Sequence, residues 1–189
     1  FAVKHNIPVT QTIMGYSTMK KDHSHYTGAI GGLGGRAANN LAKETDVAIA
    51  VGTKLADFTT GSWANFENPN FKLVSINAGR FDANKHMGKA VVGDAKVCLK
   101  ELSTALGDWK ADTKWHEKSR VELKSWEEYV DKESGPTNQK SANYARANEI
   151  AMTLEKGELI EPKKADEKPT TTGDFTVDFY SDYHGLDYN

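Results

Sequence analysis

The sequence is short of most features that would announce a function by themselves. A single cysteine, Cys98, among 189 residues excludes an intrachain disulfide and suits a reducing compartment, so a cytoplasmic location is expected. No apolar run approaches the ~18–20 residues that span a bilayer, and none of the start resembles a signal peptide. Charge of one sign is also missing: 24 Lys+Arg against 26 Asp+Glu leave a formal net charge of −2, which gives no electrostatic reason to invoke nucleic acid or an anionic membrane as a partner. Internal repeats of 20–50 residues are absent. So is a serine in a nucleophile elbow and any helical H-E-x-x-H spacing.

What is present is unevenly placed. Hydrophobic residues make up 38% and the mean hydropathy is −0.62, but the apolar positions concentrate before about residue 106. That distribution predicts a compact first part and a sparsely packed second part. Ile7–Ile13 is β-branched and short, with Pro8 at its edge, and reads as a strand; Met14–Ser17 reads as a turn. A polar stretch with no strand of its own then leads into Gly28-Ala-Ile-Gly-Gly-Leu-Gly-Gly35. Residues 36–44 place Ala37, Ala38, Leu41 and Ala42 on one helical face. The continuous run Asp46-Val-Ala-Ile-Ala-Val51 suits a strand buried on both faces of a parallel sheet. Phe71–Asn77 and Ala90–Val92 are further strands. A helix capped by Asp94 runs to Leu106 and stops at Gly107, with Ala95, Cys98, Leu99, Leu102, Ala105 and Leu106 on its apolar face. Strands alternating with helices predict a doubly wound α/β layer.

Beyond it, residues 112–132 predict a helical connector lying on a surface, broken at Gly135-Pro-Thr-Asn138. Tyr144 to Leu154 predicts one more helix. The Glu, Lys, Pro and Thr after Gly157 read as linker or disorder, and Asp174–Tyr180 alternates like a strand with no evident partner. The domain expectation is therefore a compact domain over 1–109, connector and start of a further domain over 110–156, and an irregular tail over 157–189.

Three features could carry chemistry. Gly32-x-Gly34-x-x-Ala37 matches the G-x-G-x-x-[GA] form in which backbone N–H groups and a helix N-terminus approach a pyrophosphate. The fingerprint demands a strand directly before the turn, and the nearest expected strand ends some 15 residues earlier. Tight packing of the turn against the sheet and an adenine-nucleotide edge in another geometry are the competing readings. Gly31, Gly32, Gly34, Gly35 and Lys54 are the candidate nucleotide-contacting residues. Second, ligands of open α/β sheets bind beyond the carboxyl ends of strands. Lys54, Asp57, Thr59, Thr60, Ser62 and Trp63 stand there after one strand, and Arg80 and Asp82 after the next, with Trp63 read as an interface residue more readily than a ligand stack. Third, Asp22-His-Ser-His25 invites a metal reading, but without a second cluster the histidines read as surface residues of a polar loop and no metal site is expected. Cys98, on an apolar face with no neighbouring base, reads as a small core residue.

The order of motifs is more informative than any one of them. Pro8-Val9, Met14-Gly15, Asp22-His23, Gly28–Gly35 with Ala38-Asn39, Val51-Gly52 and Val92-Gly93-Asp94-Ala95 together resemble the central domain of thiamine-diphosphate-dependent enzymes, across Ile7 to Leu106. A narrower pattern, Val51-Gly-Thr-Lys-Leu-Ala-Asp-Phe-Thr-Thr-Gly-Ser-Trp63 with Phe81-Asp-Ala-Asn-Lys-His86, Trp126-x-x-Tyr129 and Pro136-Thr-Asn138, resembles the branch that hydrolyses trihydroxycyclohexane-1,2-dione. That resemblance implies a parent enzyme of inositol breakdown that uses thiamine diphosphate and Mg²⁺ to give 5-deoxyglucuronate. In the family, the cofactor lies between a pyrimidine-binding domain supplying a Glu and a diphosphate-binding domain supplying Gly-Asp-Gly…Asn. Neither pattern stands here: the chain begins after the first of these domains, and Gly173-Asp-Phe175 departs from the second.

The resemblance therefore implies a truncated central domain whose partners are those two domains, in a homo-oligomeric parent. It predicts no cofactor held by this chain alone and no transferable catalytic residue. An acetohydroxyacid-synthase-like or decarboxylase relative holding FAD or ADP is an alternative, weakened by Lys54 where such relatives carry Arg. A non-catalytic nucleotide-binding module is another.

Overall fold

The computed structural model describes residues 1–135 and 146–147. The chain divides into two units, Phe1–Trp126 and Glu127–Asn189. In the first, a single helical turn α1 (Ala2–His5) leads to β1 (Val9–Gln11), a 3-10 turn at Ile13–Gly15, β2 (Tyr26–Ala29) and helix α2 (Arg36–Glu44). Then come β3 (Val47–Val51), the turn α3 (Asp57–Thr60), β4 (Lys72–Asn77), the turn α4 (Arg80–Ala83), β5 (Lys89–Val92) and helix α5 (Ala95–Leu106). Helix α6 (Thr113–Ser134) completes the described elements, and its residues from Glu127 onward fall in the second unit. The expected helix over 144–154 is described only at Arg146 and Ala147, which are helical; the expected strand at 174–180 and the tail after Gly157 lie outside the described residues.

The parallel α/β architecture is present, arranged as two sheets. β1 and β2 pair in parallel, and β3, β4 and β5 form a parallel three-stranded sheet in that order. The strand expectation needs one addition. β2 ends at Ala29, immediately before the Gly-rich turn, where the sequence suggests only a polar stretch. Tyr26-Thr-Gly-Ala is too short and too glycine-containing to show strand periodicity, yet it pairs with β1 because Tyr26 and Thr27 bury their side chains and Thr27 Oγ1 donates to Val9 O at 2.9 Å.

A second correction concerns β3. A run of five apolar residues suits a central strand, but β3 lies at the edge of its sheet, and Val47 and Val51 are exposed. The buried strand is β4, in which Leu73, Ser75 and Ile76 are enclosed. Burying Ile76 alone contributes about 2 kcal/mol.

Helix α2 buries the four residues that its periodicity selects, Ala37, Ala38, Leu41 and Ala42. Alanine at three of these lets the helix approach its neighbours closely. Asp94 caps α5 as its sequence predicts, its Oδ1 accepting from Val97 N at 3.0 Å, and Gly107 ends the helix at positive φ. The apolar face of α5 is only partly covered: none of its residues is fully buried, Cys98 included.

Between residues 113 and 126, α6 lies across β2 and α2. Leu123 enters a cluster with Tyr26 and Ala37. Arg120 Nη1 donates to Tyr26 O at 3.1 Å, Asn40 Nδ2 to Glu122 Oε2 at 3.0 Å, and Lys118 pairs with Glu44. The N-terminal turn is fastened in a similar way. His5 is fully buried, Ser103 Oγ and Trp109 O lie 2.8 Å from its two ring nitrogens, and its carbonyl accepts from Ala111 N.

Candidate functional site

The carboxyl ends of the strands come together at one edge of the first unit. Ile30 N donates to Gln11 O, joining the ends of β1 and β2. Gly32 N donates to Phe58 O at 2.8 Å, joining the glycine turn to the loop after β3. That loop is stitched in turn to the one after β4: Asn77 Nδ2 donates to Thr53 O, Lys85 Nζ to Lys54 O, and the His86 ring meets Leu55 O at 3.0 Å.

The glycine turn is now seen in the strand–turn–helix context the fingerprint requires, but its amides are engaged within the chain. Gly31 N donates to Asn39 Oδ1, Gly32 N to Phe58 O, Gly34 N to Gly31 O and Gly35 N to Ala29 O. The space that side chains would need is likewise filled. A Cβ on Gly31 would stand 2.4 Å from Phe58 O, one on Gly34 2.4 Å from Ala29 O, and one on Gly35 2.8 Å from Trp126 Nε1. Close packing accounts for glycine at these three positions. Asn39, just inside α2, locks the turn from behind, because its Nδ2 returns a bond to Gly31 O while its Oδ1 also accepts from buried Asn65.

The loop after β3 concentrates backbone strain. Gly52, Leu55, Gly61, Ser62 and Trp63 all have positive φ, as do His86 and Met87 in the facing loop. Each non-glycine residue so held costs roughly 1–3 kcal/mol, offset here by aromatic packing. The Trp63 ring meets His86 edge-on at a centroid distance of 4.4 Å and lies 5.2 Å from Phe66, which stacks on Phe71 at 4.6 Å. Trp63 thus packs inside the unit, against the cluster of Ala50, Leu55 and Leu73. Thr59 and Thr60 are buried, Asp57 accepts from Ser62 Oγ at 2.8 Å, and Lys54, Arg80 and Phe81 face outward. An open hollow of about 440 Å³ is lined by Arg80, Phe81, Asn84 and Lys85.

The histidine loop stands apart from this edge, and it is not the exposed loop its polarity suggests. His25 is buried at 6% exposure. His116 of α6 lies over it at a ring-centroid distance of 4.3 Å, and His23 meets it at 5.8 Å. Burial holds the His25 imidazole below its ordinary 6.5, and the positive charges of His116, His23 and Arg120 act in the same direction. The burial arises because α6, some 90 residues on, covers the loop. No local signal carries that contact. Among the described residues, no three His, Cys, Asp or Glu side chains are placed to hold a metal ion.

Parallel strands with glycine-rich and strained loops at their carboxyl edge define a Rossmann-like α/β domain. Residues 1–102 match the family model described as "thiamine pyrophosphate enzyme, central domain", and the chain belongs to that family. Among curated relatives, the 3D-(3,5/4)-trihydroxycyclohexane-1,2-dione hydrolase of Clostridium perfringens (strain 13 / Type A) is 38% identical over 128 residues, 68% of this chain and 20% of its own length. That of Clostridium botulinum (strain Alaska E43 / Type E3) is 43% identical over 106 residues, 56% of this chain and 16% of its own length. The protein of the same name from Geobacillus thermodenitrificans (strain NG80-2) is 41% identical over 109 residues, 58% of this chain and 17% of its length. The chain thus spans about a fifth of the length of the curated relatives it matches.

The described residues do not fit a diphosphate with its Mg²⁺. The turn amides donate inside the chain, and among the described residues no three His, Cys, Asp or Glu side chains are placed to hold a metal ion there or elsewhere. No step of a reaction is therefore assigned to them.

Proposed function

We infer that this chain serves as the central domain of a larger thiamine-diphosphate- and Mg²⁺-dependent hydrolase. Its reaction would open the ring of trihydroxycyclohexane-1,2-dione to 5-deoxyglucuronate in cytoplasmic inositol catabolism, and the role of this domain in it is structural. The reading rests on the relatives' shared name and on the correspondence between branch-specific loops and the built edge. The segments Val51–Trp63 and Phe81–His86 both hold non-glycine residues at positive φ and are locked together by the Trp63–His86 ring contact and the bond between His86 and Leu55.

One observation carries the structural role. The loops following β1, β2, β3 and β4 each present a large apolar side chain to solvent: Met14 at 92% exposure, Leu33 at 67%, Phe58 at 64% and Phe81 at 82%. Exposed apolar side chains on successive loops at the carboxyl ends of the strands suit a surface that another domain covers. The partners that suit it are the pyrimidine-binding and diphosphate-binding domains of the parent, within a homo-oligomer.

Grafting residues 1–126 of this chain into the matching segment of the Clostridium perfringens hydrolase tests the reading. Retained ring-opening activity is expected; a folded chimera that binds thiamine diphosphate but opens no ring overturns it. Calorimetry of the chain alone with thiamine diphosphate and Mg²⁺ should show no binding, and clear micromolar binding contradicts a purely structural role.

A nucleotide at Gly31, Gly32, Gly34, Gly35 and Lys54 is the second reading, favoured by the position of β2 directly before the turn. It requires the turn to release amides now bonded to Asn39, Phe58, Gly31 and Ala29. A thermal shift with ADP, or a yellow purified protein carrying flavin, decides for it.

A further inference from the structure

The histidine cluster takes no part in the function proposed above, and its construction is specific. His25 sits on the loop that enters β2, and its ring is covered by residues of α6 that are 91 and 95 positions further along the chain. His116 contributes twice. Its ring lies tilted at 34° on that of His25, and its Nε2 is 3.1 Å from Ser24 O, so the Nε2–H donates to that carbonyl. One helical turn later, Arg120 donates to Tyr26 O. His23 closes the other side, its Nδ1 accepting from His25 N at 3.1 Å. The cluster therefore forms a seam between the loop before β2 and the part of α6 that reaches Trp126.

The seam is built for an uncharged His25 ring. His25 Nδ1 bonds with Ser24 Oγ at 2.9 Å, and its buried Nε2 has no hydrogen-bond partner among the described residues. Protonation places a second N–H on that ring and a positive charge in a site 6% exposed to water. The charged or titratable groups acting on it are His23 from its own loop, His116 and Arg120 from α6, and, least, the amino group of Phe1. All are cationic or become so in acid, and among the described residues no carboxylate joins them. A charge buried without a counter-ion is expelled or neutralised.

We propose that His25, enclosed between His116 and His23, is an acid-sensitive latch, which holds residues 113–126 of α6 on β2 while its ring is neutral and lets them go when that ring is protonated. The sign follows from linkage. His25 in the closed state binds its proton less readily than a free imidazole, so the open state takes up more protons as the pH falls. The latch is fully closed above the ordinary value of 6.5 and loses its contribution progressively below it. Acid loosens it; alkali does not.

Hydrogen–deuterium exchange on the full 189-residue chain, compared at pH 7.5 and pH 5.5 after correction for intrinsic exchange rates, reads this directly. The expected result is a several-fold gain in exchange confined to residues 113–126 and 23–29, with β3, β4 and β5 still protected. His116→Gln, on the helix side and outside the most enclosed position, should reduce the gain; His25→Gln should abolish it. If either glutamine variant fails to fold, ring-nitrogen NMR titration of the unmodified chain gives the same answer, since His25 must titrate below the ordinary histidine range. An unchanged exchange pattern at pH 5.5, a loss of protection spread evenly over both sheets, or a His25 titrating at or above 6.5 overturns the latch.

Discussion

The two sheets of the first unit solve the same packing problem with different materials. Around β1 and β2 many of the enclosed residues are small or polar, among them Ala37, Ala38, Gln11, His25, Thr27 and Ser119, packed beside Tyr26, Leu41 and Leu123 and held by side-chain-to-backbone hydrogen bonds and by α6. Around β3, β4 and β5 the cohesion comes from Leu73, Ile76 and the rings of Trp63, Phe66 and Phe71. At its turn the first arrangement is intolerant of added atoms, because backbone already occupies the space beside Gly31 and Gly34. The second has open space beside Gly52, side chains and not backbone beside Gly88 and Gly93, and strained non-glycine residues on its loops. Family-wide motifs fall mostly in the tight region, and the branch-specific loops fall in the strained one.

Gly34→Ala should produce the largest effect and tests the tight region directly. Its Cβ would stand 2.4 Å from Ala29 O and 2.6 Å from Ile30 C, and backbone cannot withdraw as a flexible side chain can. A loss of at least about 3 kcal/mol is expected in a urea melt; a loss under about 1 kcal/mol removes the contrast between the two regions. Leu123→Ala comes next. The side chain is 3% exposed and packs with Tyr26 and Ala37, so truncation should cost about 2–3 kcal/mol. The same melt followed by exchange should show α6 losing protection before β4 does.

Legibility in the sequence follows the same division. Period and caps are local properties, so α2, α5 and α6 can be read directly, with Asp94 and Gly107 marking the ends of α5. β2 cannot, because Tyr26-Thr-Gly-Ala forms a strand only through β1 and the cover of α6. The edge position of β3 is equally hidden, since an apolar run carries no information about which neighbours it acquires. At the candidate edge, the glycine positions are visible but their use is not. Asn39, Phe58 and Trp126, which fill and lock the turn, lie 8 to 95 residues from Gly31. The burial of His25 is the same kind of fact, created by a helix remote in sequence.

Two substitutions in the strained region sharpen the comparison with smaller effects. Gly52 has φ +64°, and a Cβ added there would meet nothing within 4 Å, so Gly52→Ala carries a conformational penalty and no clash. About 1–2 kcal/mol is expected, less than for Gly34→Ala although both replace glycine by alanine. If the two cost the same, crowding is not what distinguishes the regions.

Met87→Gly is the smallest effect and the most discriminating in sign. Met87 holds φ +53° and is fully exposed, so removing its side chain forfeits no burial. Glycine relieves a left-handed backbone cost of about 1–2 kcal/mol and adds an unfolded-state entropy cost of about 0.5–1 kcal/mol. The balance is a gain of about 0.5 kcal/mol, measurable as a raised urea midpoint with an unchanged slope. Glycine substitution in an exposed loop ordinarily destabilises, so a gain here identifies strain stored in the backbone at Met87. A loss of about 1 kcal/mol would show instead that the methionine stabilises the loop beside His86 through contacts its exposure conceals.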